Sequence, residues 1–234
     1  MRDASLIDAD DLTAPSFMAA STHAADDPAA RRLLRRGQGA FQKWPEGFAG
    51  FRARLMCETA RGQIKGCVAV APPDRVEVIC DEPHLRQWLE NMLRVIVAER
   101  TPRFFDDGDG RFPISFLEGR SDAPGRPVNV QARLGELRYW IDSAGRIRQV
   151  ERIARGLRAL TTFDELVRTT PGRVLPAVTT TTTWDVTTGT LVSSESVRDS
   201  HRRLDHVWLP AARHVSGHRC NAPVAVSLLE HELL

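Results

Sequence analysis

The chain lacks most of the short signatures that announce a chemistry. It has no GxGxxG, no P-loop and no βαβ alternation, so a nucleotide-binding α/β fold is not expected. It has neither GxSxG nor HExxH, which removes the nucleophile-elbow hydrolases and the zincin-type proteases. The four cysteines, Cys57, Cys67, Cys80 and Cys220, form no CxxC pair. Three of them fall inside predicted strands, where a free thiol behaves as a small hydrophobe, so reduced thiols are expected. No apolar run is long enough for a transmembrane helix, and integral membrane association is not expected. A surplus of one charge is also missing. The 32 basic and 30 acidic residues leave a net charge of +2, too little for a global basic field, so no nucleic-acid partner is expected. Arginine greatly outnumbers lysine, which reads as lineage bias. Residues 1–20 carry Asp3, Asp8, Asp10 and Asp11 and no apolar segment, unlike a secretory signal, so a cytoplasmic protein is expected.

Strands are what the sequence has in quantity. The stretch Ala49–Ala71 reads as a hairpin. Phe51, Ala53, Leu55 and Cys57 alternate with Arg52, Arg54, Met56 and Glu58, and Ile64, Gly66, Val68 and Val70 continue the apolar face on the second strand. Arg61-Gly62 is the expected turn, and Val76–Cys80 a third strand. From Phe112 on, strand signals come at short intervals: 112–117, 128–134, 137–142, 147–153, 157–166, a long hairpin 173–186 and 189–197, then 207–215 and 222–229. Five consecutive threonines, Thr179–Thr183, suit a strand, three facing one way and two the other.

Two helices interrupt this pattern. Asp27 as N-cap with Pro28 at the first helical position opens one, in which Ala30, Leu33, Leu34, Phe41 and Trp44 recur near helical spacing opposite an arginine cluster, Arg31, Arg32, Arg35 and Arg36. Pro45-Glu46-Gly47 ends it. The other spans 82–100, where Leu85, Trp88, Leu89, Met92, Leu93, Ile96 and Val97 make a continuous stripe. Residues 1–24 are polar and aperiodic and read as a disordered tail before a single domain, 25–234. The acidic loop Phe104–Arg111 fails as an EF-hand, because aligning Gly110 places Phe105 and Phe116 where ligand oxygens are required.

The expected fold is α+β: a large curved antiparallel sheet, a half-open barrel of about nine to eleven strands, with two helices packed on one face. Its expected core comprises Phe51, Leu55, Val68, Val70, Trp88, Leu89, Met92, Ile96, Trp140 and Trp184. Trp88, Met92, Ile96, Trp140 and Trp184 are the candidate ligand-binding residues, since Met and Trp suit adaptable apolar pockets between a concave sheet and helix 82–100. The expected ligand is an apolar small molecule or lipid, with no cofactor, and a binding or carrier module is favoured over an enzyme. Five histidines crowd the last 34 residues: His201, His206, His214, His218 and His231. His214, His218 and Cys220 are the candidate metal ligands, and with His206 they support an alternative, a metal- or thiol-dependent enzyme. His206 and His214 on one straight strand would stand about 27 Å apart, too far to share a metal. A third reading is an assembly protein that meets a protein partner through a sheet edge or the arginine-rich helix.

The order FQKWPEGFAGFRARL, RGQIKGCVAV, the helix with Trp88, GDGRFPISF, GRIRQVER, VLPAV…TWDVTTGTL and DHVWLPAARHV resembles an uncharacterised bacterial family, best represented in cyanobacteria, over residues 25–234. That family has no established activity, so the resemblance implies a single domain of this length and no functional residue. More loosely, the helix, hairpin, helix and long meander with a W-D-x-x-T-G turn are similar to periplasmic lipoprotein carriers. This similarity implies an unclosed barrel with helices over an apolar concave face.

Overall fold

The computed structural model describes residues 26–60, 62–117, 123–132, 135–217 and 224–234. Among them are helices α1 (Pro28–Gly39) and α2 (Pro83–Arg100). The strands are β1 (Phe51–Thr59), β2 (Gly62–Ala71), β3 (Arg75–Ile79), β4 (Ile114–Phe116), β5 (Arg126–Ala132), β6 (Gly135–Ile141), β7 (Ile147–Ala154), β8 (Leu157–Arg168), β9 (Val174–Asp185), β10 (Leu191–Leu204), β11 (Val207–Gly217) and β12 (Val224–Leu233). All twelve join one antiparallel sheet in the order β3-β2-β1-β12-β11-β10-β9-β8-β7-β6-β5-β4. The sheet is curved and open, because the end strands β3 and β4 do not pair. The expected class is therefore observed, with twelve strands where nine to eleven were expected. The proposed tail, 1–24, lies outside the described residues.

Local rules explain most of the elements. Asp27 caps α1 by accepting from Ala29 N at 2.7 Å and Ala30 N at 3.2 Å, which satisfies two otherwise orphaned amides. Glu82 stands at the same position before α2 but makes no side-chain cap bond; its longer side chain suits that role less well than Asp. Helix α1 stops at Gly39 and does not continue to Trp44 as its spacing suggested. Two glycines weaken its last turn, and the chain from Ala40 bonds to β9 instead: Val174 N donates to Ala40 O and Gln42 N to Val174 O. Gly37 has a second consequence. A Cβ there would sit 3.0 Å from Ile147 Cγ1, so glycine lets the helix lie close on the sheet. In the β1–β2 hairpin Gly62 already pairs with Thr59, so it opens β2 and is not a turn residue.

Strand register places both helices on one face. Cys57 pairs with Val226, Val226 with Arg213 and Arg213 with Asp199. From the other side, Val128 pairs with Tyr139, Tyr139 with Val150 and Val150 with Thr161, which pairs with Thr181. Directly opposed residues share a face. That face carries two separate apolar clusters. The first is α2 (Leu89, Met92, Leu93, Ile96, Val97) over β1–β3, β11 and β12, including Phe51, Leu55, Val68, Val70 and Leu209. The second is α1 (Ala30, Leu34) over β4–β7, including Ile114, Val128, Val130, Tyr139 and Ile141. Trp88 is half-buried at the margin of the first. Trp140 and Trp184 depart from the expected core. The strict alternation of a strand sends Trp140 away from the buried Tyr139, and puts Trp184 with Thr182 and Thr180 on the face without helices. There Arg158 lies over the Trp184 ring at 5.2 Å.

Candidate functional site

Between the two apolar clusters the helix-covered face changes character. Its strip on β8–β11 presents Thr161, Thr179, Thr181, Glu195, Asp199, His201 and Arg213. A cavity of about 350 Å³ opens here. The last turns of α2 (Val95, Ile96, Glu99, Arg100) and the segment Phe41–Lys43 form its other walls. Phe41 and Phe163, with ring centroids 5.2 Å apart, with Leu175, Pro176 and Val197 supply the apolar lining. The cavity opens where α1 has ended at Gly39 and only the last turns of α2 reach over the middle strands.

The polar groups are arranged in pairs. Arg213 Nε and a terminal nitrogen each donate at 2.7 Å to the two Asp199 oxygens, a bidentate contact with both side chains about 15% exposed or less. Burial works against the Arg213 charge, but the Asp199 contact outweighs it and holds the guanidinium pKa above its usual value. Arg100, only 6% exposed, donates to Trp208 O at 2.7 Å, and burial pushes its pKa down to about 10. Lys43 donates to the Glu99 carbonyl, and burial lowers its pKa. The Glu99 carboxyl opens on the cavity, which leaves it accessible although protein surrounds it. This enclosure raises its pKa, against the opposing pull of Arg213.

His201 explains a break in the sheet. The β9–β10 ladder ends at the Val178–Arg198 pair, and Pro176 beyond it has no amide to offer. His201 Nε2 donates to Pro176 O at 2.7 Å, across the gap. A ring nitrogen against a carbonyl must carry the hydrogen, so the neutral ring has Nδ1 bare, and that atom is buried without a partner. His231 repeats the device on Pro210 O at 2.9 Å.

The model for the family of proteins of unknown function DUF3386 matches residues 25–233. The chain belongs to that family. A comparison with curated proteins finds no match. Among solved structures, this DUF3386 chain is similar to a domain assigned to outer membrane lipoprotein sorting from Vibrio parahaemolyticus, at 10% identity and a TM-score of 0.31, over 88% of this chain and 92% of that one. It is also similar to the Pseudomonas aeruginosa MucA/MucB complex structure, at 12% identity and a TM-score of 0.27, over 88% and 99%. Among the described residues no helix is long and apolar enough to cross a membrane.

The structure does not gather the residues that the sequence put forward. Of the five candidate ligand-binding residues, Ile96 lines the cavity. Met92 is buried in the α2 cluster, Trp88 packs at its margin, and Trp140 and Trp184 are on the opposite face. His214 is exposed on β11 and His206 sits in the turn before it, so the two do not share one strand. His218 and Cys220 lie outside the described residues. Among the described residues no group of three metal-ligating side chains forms. The acids of the 104–111 loop tie it to α1: Asp106 pairs with Arg35 at 2.7 Å, and Asp109 accepts from Gln38 and Tyr139, each at 2.6 Å. Sequence reasoning missed Arg213, Glu99 and Lys43. The one signal that could have found the wall was the alternation of the threonine run, which puts Thr179 and Thr181 on one face.

Proposed function

We propose that this chain is a binding or carrier module for a small molecule with an apolar body and a polar end, held between α2 and strands β8–β11. The observation that supports this is the cavity itself. Its volume lies within the range of ligand pockets, at the small end, and equals the space of roughly a dozen waters at about 30 Å³ each. Its apolar wall and buried charge pairs match the usual pattern of an apolar site with a few placed polar groups. The competing assembly reading has less support at the β3 edge. That strand has five residues, and Arg75 and Glu77 guard it, as charges do on edges kept from pairing.

The test is native mass spectrometry of freshly purified protein against its denatured mass, with 1-anilinonaphthalene-8-sulfonate as a fluorescent probe. The expected result is an apolar adduct, or probe binding that Val95→Trp reduces at least tenfold. Val95 lines the cavity but is 52% exposed, so the larger side chain fills the opening without disturbing the core. A bare mass with no probe uptake, or probe uptake unaltered in Val95→Trp, overturns the reading.

A further inference from the structure

A second concavity, of about 840 Å³, shares no lining residue with the first. Four arginines line it: Arg36 from α1, Arg146 from the turn before β7, Arg168 at the end of β8 and Arg173 before β9. They come from three separate stretches of chain, Arg168 and Arg173 standing at the two ends of the β8–β9 turn, so the convergence is a property of the fold and not of a basic run. Among the described residues no carboxylate lines the groove. Asp142 stands 3.9 Å from Arg146, and among the described residues Arg36, Arg168 and Arg173 have no ion pair.

We propose that this groove binds a phosphate-class dianion, either free or carried as a lipid headgroup. Guanidinium remains charged at any physiological pH and offers five donors in a planar fork suited to phosphate oxygens. Arg36 spends one donor on Ala144 O at 3.2 Å and Arg173 one on Gly39 O, while Arg168 spends none. These contacts are enough to place the first two side chains, and they leave most of their donors for a ligand. Arg36 is further fixed by stacking on Gly145, where a Cβ would come within 2.5 Å of its Nε. One feature opposes an anion: the C-terminal end of α1 faces the groove, and its dipole is equivalent to about half a negative charge. Three unopposed guanidinium charges exceed that several-fold. The inference is independent of what fills the cavity.

The experiment is calorimetric titration with inorganic phosphate and with pyrophosphate, alongside co-sedimentation with phosphatidylcholine vesicles with and without phosphatidic acid at roughly one lipid in five. Arg168→Ala is the decisive variant, because among the described residues its exposed side chain makes no hydrogen bond or ion pair that would be lost. Arg202→Ala, an exposed arginine outside the groove, is the control. Binding of either inorganic ion marks a free ligand, and binding confined to the acidic vesicles marks a headgroup. In both cases Arg168→Ala is expected to weaken it about tenfold, Arg202→Ala to leave it within twofold, and added salt to weaken it further. Absence of binding in every arm overturns the proposal, as does equal weakening by Arg168→Ala and Arg202→Ala, which would reduce it to general surface charge.

Discussion

The flanks of the sheet and the strip between them share one backbone ladder and one face, yet their interiors are opposite. On the flanks a helix lies over the strands, and the side chains beneath are Leu, Val, Ile and Phe. In the strip only the last turns of α2 reach over the strands, and Thr, Asp, Glu, Arg and His stand beside Phe163, Leu175 and Val197. Burial of apolar area is the main favourable term in folding, so stability should reside in the flanks and ligand chemistry in the strip. A sheet of this width needs two helices to close its ends, and the gap between them becomes a site.

This division is broken most directly by truncation in the flanks. Leu89→Ala under α2 and Leu34→Ala in α1 remove fully buried side chains, and each should lower the unfolding free energy by about 2–5 kcal/mol in urea titration. Thr181→Ala in the strip loses a hydroxyl contact with Thr161 at 3.0 Å but no apolar core contact, and should cost only about 1 kcal/mol by the same measurement. Equal losses at Leu89 and Thr181 would refute the division. The next largest effect belongs to the ion pair. Asp199→Ala removes the bidentate partner of Arg213 and leaves only the Glu99 and Glu195 charges to offset it, at a cost of about 2–4 kcal/mol. The double variant Asp199→Leu/Arg213→Met should recover much of this, which a double-mutant cycle would measure.

How legible each region was follows from the same contrast. The flanks are built from local periodicity. Leu89, Met92 and Ile96 share a helix stripe, Phe51 to Cys57 share a strand face, and Asp27-Pro28 is a self-contained start signal, so each could be read from a short window. The strip is built from distance. Phe41, Glu99, Thr181, Asp199 and Arg213 meet only through the pairing of β8 to β11 and the placement of the α1–β1 connection, and no window contains two of its walls. Trp140 and Trp184 failed for a related reason: size suggests burial, but strand parity decides the face, and parity becomes known only once a neighbour such as Tyr139 is seen against Val128 and Val150. Among the late histidines, His201 and His231 bond the carbonyls of Pro176 and Pro210, a role that no sequence window could show; of the metal candidates, His214 is exposed on β11, and His218 and Cys220 lie outside the described residues.

His201 gives the strip a pH dependence, and His231, whose ring centroid lies 5.6 Å from that of Phe51 on β1, gives one to the flank beside it. Burial lowers both pKa values, against the opposing effect of the carbonyl bonds. The unfolded chain, with ordinary imidazoles near 6.5, therefore takes up protons before the folded one. Stability is complete above that value and is lost as pH falls below it, by no more than about 1.4 kcal/mol per pH unit for each ring. Unfolding curves at successive pH values should show the loss, and His201→Gln, which keeps a donor for Pro176 O but does not titrate, should flatten it. A slope unchanged in that variant would remove His201 from the account.

The smallest effect has the opposite sign and bears on why the strip is polar at all. Burial raises the Glu99 pKa above the ordinary 4.5, so the unfolded chain ionises first as pH rises. Ionised Glu99 thus opposes folding at neutral pH, and the penalty disappears in acid. Because the carboxyl opens on the cavity, water and the nearby Arg213 screen most of it. Glu99→Gln should therefore raise stability at neutral pH by only about half a kcal/mol, measured against wild type in urea. The same variant should weaken uptake of a ligand whose polar end meets that carboxylate. A gain in stability together with a loss of binding would mean that Glu99 is kept for the ligand at the expense of the fold. A gain with binding unchanged would leave Glu99 as a tolerated defect and move the polar contact to Asp199 and Arg213.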